Sequence, residues 1–464
     1  MRKWYLKPFS RPSSPLDLYS RLYPADQSFF LYSSLRTQEN SRFSYLSCDP
    51  TVSIRIKNDK VIIEGRENTQ SVQGNPFDIV NSYVTARDIE FQFDPNILGT
   101  NFFSGGAVGY WGYDLKDCLE KLPSSAQGEP SRPDAYWMLY DGLIVIDHMT
   151  NSYYFTGTKE AIDHLEQKIE KNQDGGLDLQ ESFDYEVEVV TSKDSYLKKI
   201  GSIKEYIANG DVYEVNLAQR FNVKIKKSNA WTGFNVFKSL VEASPSPFSA
   251  ILKFGEFSVV SSSPERFLSV RGNSMESKPI KGTRPRHADF FNDEAGYFDL
   301  LHSEKDRAEN VMIVDLVRND LGRVSETGSV HVPYLCTIEK YSTVFQMVST
   351  IRSKLEAGYD YMDAVKSCFP PGSMTGAPKI RAMEIIEELE EFKRGIYSGA
   401  LGYMGYRGEL DLSVVIRTLI LQDDKGYFQT GGAIVWDSEP EKEYQECLDK
   451  ARGIIHALER LKSR

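Results

Sequence analysis

The sequence predicts an α+β fold, with large antiparallel β-sheets forming a central sandwich and helices packed outside. Residues 1–158 read as short strands alternating with turns. Helical periodicities appear from Ser192 onward. Between them, hairpin signals recur without the regular strand–helix alternation of a doubly wound parallel sheet.

Thr51–Ile56 and Val61–Glu64 flank the polar turn Lys57-Asn58-Asp59-Lys60, a hairpin pattern. Phe103–Tyr110 is a glycine-rich strand; no GxGxxG spacing is present, so its glycines suit close strand packing. Residues 172–191 carry Gly175-Gly176 and a run of acids, from Asp174 to Glu188, with no lysine or arginine. This composition predicts a solvated linker between an N-terminal domain, 1–171, and a second domain, 192–464. Ser192 is placed to cap a helix with Tyr196, Ile200, Ile203 and Ile207 on one face and Gly210 as its stop. Tyr213–Phe221 then reads as a strand. Ser303–Arg318 is helical by periodicity, with Ala308, Met312, Asp315 and Leu316 along one side. Ile380–Leu389 reads as a helix, and Val414–Leu419 as a mostly apolar strand.

With 464 residues, 41% hydrophobic and 26% charged, the chain has the composition of a globular protein able to bury a large core. A formal charge of −11 without a basic stripe argues against nucleic acid as a partner. No apolar run approaches the roughly 20 residues of a membrane helix, and Met1–Pro8 lacks the apolar core of a signal peptide. A cytoplasmic protein is expected. The cysteines Cys48, Cys118, Cys336, Cys368 and Cys447 are scattered, with no CxxC pair, and read as reduced structural thiols.

Several segments carry chemistry. Lys281, in Ser277–Arg286, follows Glu265, in Ser263–Phe267; an amine and a carboxyl sharing a pocket can supply a nucleophile and a proton donor. Asp306 and Glu309 share a helix face, as do Glu443 and Glu446, with Lys450 four positions on. Such faces are either solvated or converge on a hard cation such as magnesium. Gly372–Lys379, including Thr375, Gly376 and Ala377, precedes a helix and suits either an anion or a helix cap. Gly431-Gly432-Ala433 lets backbone approach a ligand. Arg417, in an apolar strand, needs an anionic partner, from a substrate or from a structural salt bridge.

Taken together, Asp211–Arg220, Lys305–Asn310, Asp315–Arg323 and Thr375–Lys379 are similar to segments of the chorismate-binding enzymes. The similarity covers nearly the whole chain and is strongest from Ser192 to Arg452. It implies Mg2+ held by Glu309 and Glu446, with Glu443 and Asp306 in support. It implies substrate carboxylates held by Arg417 and Lys450, beside backbone at Gly376, Ala377, Gly431 and Gly432.

Within the family the segments most resemble members that aminate chorismate at C4, giving 4-amino-4-deoxychorismate for 4-aminobenzoate and folate biosynthesis. In these, Lys281 would attack C2 and expel the C4 hydroxyl, Glu265 would protonate that hydroxyl, and ammonia would then displace the lysine. Anthranilate synthases, the alternative, carry alanine at the matching position, and a histidine where this chain has Gln346. Glu214 stands where water-activating relatives have lysine and amine-forming relatives usually have glutamine. Pro371-Gly372 stands where relatives often have Gly-Gly. A metabolite-binding subunit without turnover is the third reading, disfavoured by the intact set of functional residues.

No Gly-x-Cys-x-Gly segment of a glutaminase is present, so a separate glutamine amidotransferase subunit is the implied partner, with an aminodeoxychorismate lyase acting downstream. The resemblance also implies a tryptophan pocket at Ser33, Arg42, Phe43, Tyr213 and Phe248. There Tyr32 replaces the glutamate of feedback-regulated relatives.

Overall fold

The computed structural model describes residues 1–10, 14–35, 41–94, 96–98, 102–123, 132–172, 184–226, 232–341 and 344–462. Two large sheets carry the fold. The first runs from Tyr185–Val189 through Glu214–Ile225, Lys425–Ile434, Thr418–Gln422, Ser258–Ser263 and Phe248–Phe254, then on through Gln27–Tyr32, Phe43–Cys48, Gly142–Asp147, Ser152–Gly157 and Arg2–Phe9 to Ile89–Phe91. The second runs from Ile280–Pro285 through Val344–Lys354, Ser274–Lys278, Arg266–Arg271, Leu410–Val414 and Ala400–Gly405, then on through Gly106–Trp111, Ala135–Tyr140, Val52–Lys57 and Lys60–Gly65 to Thr69–Gln73. Pairing among these described strands is antiparallel except where Arg2–Phe9 meets Ile89–Phe91.

Period-two alternation sorts side chains between the faces. In Gly142–Asp147, Leu143 and Val145 face the other sheet, while Ile144 and Ile146 face the outer helices. The second sheet mirrors this: Val108, Tyr110, Leu401 and Tyr403 point inward, and Ala107, Trp111, Ala400 and Met404 point outward. The inner layer is thus a sheet-on-sheet core. The helices Pro15–Leu22, Lys159–Lys171, Thr232–Ala243 and Pro440–Lys462 cover the first sheet; Pro76–Thr85, Glu304–Gly322 and Tyr361–Cys368 cover the second. This is the α+β sandwich the sequence predicts.

The local expectations fare unevenly. Val52–Lys57 and Lys60–Gly65 form the hairpin, and Asn58 takes a positive φ of 53° in its turn. The glycine strand packs backbone against backbone: a Cβ on Gly109 would lie 2.0 Å from the Tyr136 carbonyl oxygen. Ser192 caps the helix Lys193–Ala208, its hydroxyl accepting from the Ser195 N–H at 3.3 Å, and Tyr196, Ile200 and Ile203 are buried.

The segment Ser303–Arg318 is helical as expected, the helix running Glu304–Gly322. It buries Asn310, Ile313, Val314, Val317 and Leu321, leaving Ala308 and Asp315 exposed. The apolar row Ile313-Val314-Val317-Leu321 makes the contact with the sheet, whereas the side with Ala308 and Asp315 is not continuously apolar. Within the acidic segment, residues 173–183 lie outside the described residues. Tyr185–Val189 is an edge strand on Glu214–Ile225 rather than solvated linker; Tyr185, Val187 and Val189 alternate with Glu186 and Glu188, a period-two pattern.

In both sheets the strands from 1–171 form one contiguous block and those from 192–464 another, and the blocks join at a single pair of strands. Phe248–Phe254 pairs with Gln27–Tyr32, and Ala400–Gly405 pairs with Gly106–Trp111.

Candidate active site

The chain crosses from the first sheet to the second at Pro264-Glu265 and returns at residues 415–417. The crossings are stitched together: the Val414 N–H donates to the Glu265 carbonyl at 3.0 Å, and the Ser262 N–H donates to the Arg417 carbonyl at 3.1 Å. Two site residues are thereby placed side by side at the seam. Glu265 is buried, and its Oε1 accepts from the Ser373 hydroxyl at 2.6 Å. Burial pushes its carboxyl up to about 7, against the Ser373 hydrogen bond and the positive charges of Lys281 and Lys450.

Lys281 is aimed by a bulge. Ile280 pairs with Val348 and Thr283 with Gln346, so the register shifts across Lys281-Gly282. Gly282 has a φ of 84°, and a Cβ there would meet Leu300 at 2.8 Å and Asp306 at 2.9 Å. Only glycine takes this conformation without strain. Lys281 is 9% exposed, and its Nζ donates to Glu214 Oε1 at 2.7 Å. Glu214 is fully buried at the start of Glu214–Ile225, and its Oε2 has no hydrogen-bond partner among the described residues. Burial alone would lower the Lys281 ammonium; Glu214, with Glu309 and Glu265, outweighs it and holds the ammonium above the ordinary lysine value.

Carboxylates converge from two helices, Glu304–Gly322 and Pro440–Lys462. Glu443 Oε1 accepts from the Ser438 hydroxyl at 2.7 Å and from Lys305 Nζ at 3.1 Å; the same ammonium lies 3.8 Å from Glu309 Oε1. Burial raises the Glu309 carboxyl to about 7, whereas Lys450, 2.8 Å from Glu446, lowers that carboxyl. The donor set is hard oxygen, and the Lys305 ammonium already stands among it as a cation. The three carboxylates do not gather within the 4.8 Å spacing of a compact ligand cluster. Magnesium is typically held by one or two carboxylates and completes its shell with waters, so these hard oxygens could serve it without all three gathering. Asp306 pairs instead with Arg284 at 3.0 Å.

Arg417 is not in a strand. It lies in the connection after Leu410–Val414, with a φ of 50°, because the chain is changing sheets there. Its guanidinium forms no ion pair among the described residues, so the structural salt bridge is not found. Burial presses it below the ordinary arginine value, with Tyr341 acting the other way. Lys450 Nζ donates to the Gly431 carbonyl at 3.0 Å. The missing side chain of Gly432 leaves the strand flush on the helix: a Cβ there would sit 3.6 Å from Glu443 and 3.9 Å from Lys450.

Gly376-Ala377 forms a short strand on Glu214–Val215 rather than a helix cap, and the helix begins at Lys379. The Ala377 carbonyl accepts from the Tyr213 N–H at 2.8 Å, and the Thr375 hydroxyl donates to the Gly372 carbonyl at 3.1 Å. Gln346 is buried, and its Oε1 has no partner among the described residues.

A separate cavity of about 300 Å³ opens between the sheets, lined by Ser33, Arg42, Phe43, Phe248, Arg271 and Tyr403 among others. Arg42 is engaged there by Asp147 at 2.7 Å and lies 4.7 Å over the Phe43 ring. Tyr213 does not belong with this group. It is 70% exposed and lines another cleft beside Met312, Leu316 and Ile380, because the strand it leads into, Glu214–Ile225, is separated from Phe43–Cys48, the strand after Arg42, by several strands of the first sheet.

Sequence reasoning missed Lys305, although its spacing to Glu309 was a visible helical pairing, and it missed Ser373 as the partner of Glu265. The Glu214–Lys281 contact spans a separation of 67 residues, and no local pattern announces it.

Comparison with known proteins fits this geometry. The family model described as "chorismate binding enzyme" matches residues 12–456. Anthranilate synthase component 1 of Acetivibrio thermocellus is 35% identical, covering 96% of this chain and 93% of that protein. Aminodeoxychorismate synthase component 1 of Bacillus subtilis is also 35% identical, covering 92% of this chain and 91% of that protein. The crystal structure of anthranilate synthase component I from Streptococcus pneumoniae superposes with a TM-score of 0.78 at 30% identity, covering 96% of this chain and 98% of that one. Relatives named for two different reactions are equally similar, and what they share places the chain: it belongs to the chorismate binding enzymes.

Proposed function

We propose that the chain is an aminodeoxychorismate synthase component I, taking ammonia from a glutamine amidotransferase subunit to convert chorismate, with Mg2+, into 4-amino-4-deoxychorismate. The observation that carries this reading is Lys281, a buried primary amine whose charge interacts with the buried carboxyl of Glu265, itself poised near 7. Lys281 Nζ forms a bond to C2 of the ring, the double bonds shift, and the C4–O bond breaks. Glu265 supplies the proton that lets the C4 oxygen leave as water. Ammonia then bonds to C4 and Lys281 departs from C2.

Arg417, a half-buried cation without a carboxylate partner among the described residues, holds one substrate carboxylate, and Lys450 the other. The backbone of Thr375, Gly376, Ala377, Gly431 and Gly432 closes around the ring. Glu309, Glu446 and Glu443 would hold magnesium, which when bound supplies positive charge to the ring carboxylate.

Gln346 favours this reaction over the alternative, that of anthranilate synthase component I. Loss of pyruvate requires a proton to leave C2, and a positioned base contributes about 100- to 10,000-fold to such a step. An amide offers none of this. Reaching 4-aminobenzoate then falls to a separate aminodeoxychorismate lyase. Incubation with chorismate, magnesium and ammonium, with product mass and lactate dehydrogenase-coupled pyruvate read together, tests the reading. Aminodeoxychorismate with little pyruvate is expected; anthranilate with pyruvate in step with chorismate loss overturns it.

A further inference from the structure

We infer that Glu214 is the general base that frees Lys281 for attack and returns its proton when the lysine departs. The inference rests on the amination reading above. An ammonium has no lone pair, so Lys281 must lose a proton before it can bond to carbon. It is 9% exposed, so that proton has no direct route to bulk water.

Four carboxyl groups interact with its charge from four elements: Glu214 on the strand Glu214–Ile225, Glu309 on the helix Glu304–Gly322, Glu265 at the sheet crossing, and Glu446 on the helix Pro440–Lys462, which is paired with Lys450. Only Glu214 lies within hydrogen-bond distance, at 2.7 Å. Glu309 forms no ion pair with Lys281 and is turned toward Lys305. Glu265 has to hold a proton for the departing hydroxyl and cannot also accept one. The unpartnered Oε2 of Glu214 leaves that carboxyl with acceptor capacity to spare. Gly376 completes the arrangement: a Cβ there would lie 2.1 Å from the Glu214 carbonyl oxygen, so the close pairing that holds this backbone depends on glycine.

The step balances. An N–H bond of Lys281 breaks and an O–H bond of Glu214 forms. The amine lone pair makes the C2–N bond, the ring electrons shift, and the C4–O bond breaks with the Glu265 proton going to the oxygen. The adduct nitrogen keeps two protons and a positive charge, opposite the new Glu265 carboxylate. When ammonia bonds to C4, the C2–N pair returns to nitrogen, and Glu214 gives its proton back.

The test is the first half-reaction alone. Protein is mixed with chorismate and magnesium without ammonia, and formation of a covalent adduct, chorismate less water, is followed by intact mass between about pH 7 and 9. Wild type, Glu214→Gln and Glu214→Asp are compared. Glu214→Gln keeps an acceptor oxygen but no basicity, so adduct formation near pH 7 should slow by about 100- to 10,000-fold. Because hydroxide must then remove the proton, the ratio of wild-type to variant rate should narrow about tenfold per pH unit, since the ordinary lysine value lies near 10.4. Glu214→Asp retains a base, so its ratio to wild type should stay constant.

A Glu214→Gln rate within about threefold of wild type, far short of a base's usual contribution, overturns the inference. So does a large loss whose ratio does not change with pH, the mark of a purely structural role. If Glu214→Gln does not fold, Glu214→Asp decides alone: a constant ratio supports the inference, and a narrowing ratio overturns it. Absence of any adduct in wild type overturns the nucleophile reading and this inference with it, whereas a wild-type adduct with a pH-independent Glu214→Gln ratio overturns only the role of Glu214.

Discussion

Glu265 carries a pH signature that follows from its burial. As proton donor it acts only while protonated, and its carboxyl sits at about 7, so turnover should fall as pH rises through that value. Glu265→Gln should abolish turnover across the whole pH–rate profile. The same group bears on stability. Its folded value lies above the ordinary 4.5, so from about 4.5 to about 7 the folded state binds more protons than the unfolded chain. Its contribution to stability is therefore lost as pH climbs through that window. Thermal melts above pH 7 should find Glu265→Gln more stable than wild type, although inactive; equal melting temperatures would mean the carboxyl is not desolvated as described. Lys281→Ala removes the amine itself: no adduct should appear by mass, and glutamine-supported turnover should drop to background. Full activity would end its assignment as nucleophile.

The proposed metal requirement would depend on the helices Glu304–Gly322 and Pro440–Lys462. Glu309→Gln and Glu446→Gln each delete a charged oxygen and should raise the magnesium concentration for half-maximal turnover by about tenfold or more, each tenfold being roughly 1.4 kcal/mol. Unchanged titrations in both variants, or activity that survives EDTA, would remove the metal from the mechanism. At this scale the sequence was legible where local chemistry decides. Ser192 capped its helix, Lys57–Lys60 turned its hairpin, and the carboxylates of each pair shared a helix face. It was not legible where a partner element decides. The side of Glu304–Gly322 that is buried depends on the sheet beneath it, and acids alternating with tyrosine and valine at 185–189 look like linker until a neighbouring strand accepts them. Arg417 reads as a strand residue because its neighbours are apolar; those neighbours are buried because the chain is changing sheets.

For the whole molecule, alternation sufficed to predict a sandwich, but not that residues 1–171 and 192–464 would contribute adjacent strands to both of its sheets. That joining of two blocks has a direct test. Each segment made alone would expose strand edges that its counterpart covers, Phe248–Phe254 without Gln27–Tyr32 and Ala400–Gly405 without Gly106–Trp111. Neither should give a cooperative melt by circular dichroism, while the two co-expressed should. A stable, monomeric 192–464 fragment would contradict this account. Within the sandwich, Leu252→Ala, which empties a fully buried inward-facing position, should cost about 2–5 kcal/mol in denaturant unfolding. The pairing of Val414 with Glu265 and of Ser262 with Arg417 has a further consequence. Glu265 and Arg417, the proposed proton donor and anion holder, ride on the same stretches of chain that tie one sheet to the other, so no loosening of the sandwich can spare them. Heat should therefore silence the enzyme in a single event, with residual turnover after brief thermal pulses overlaying the melting curve degree for degree and no folded but inactive species ahead of it.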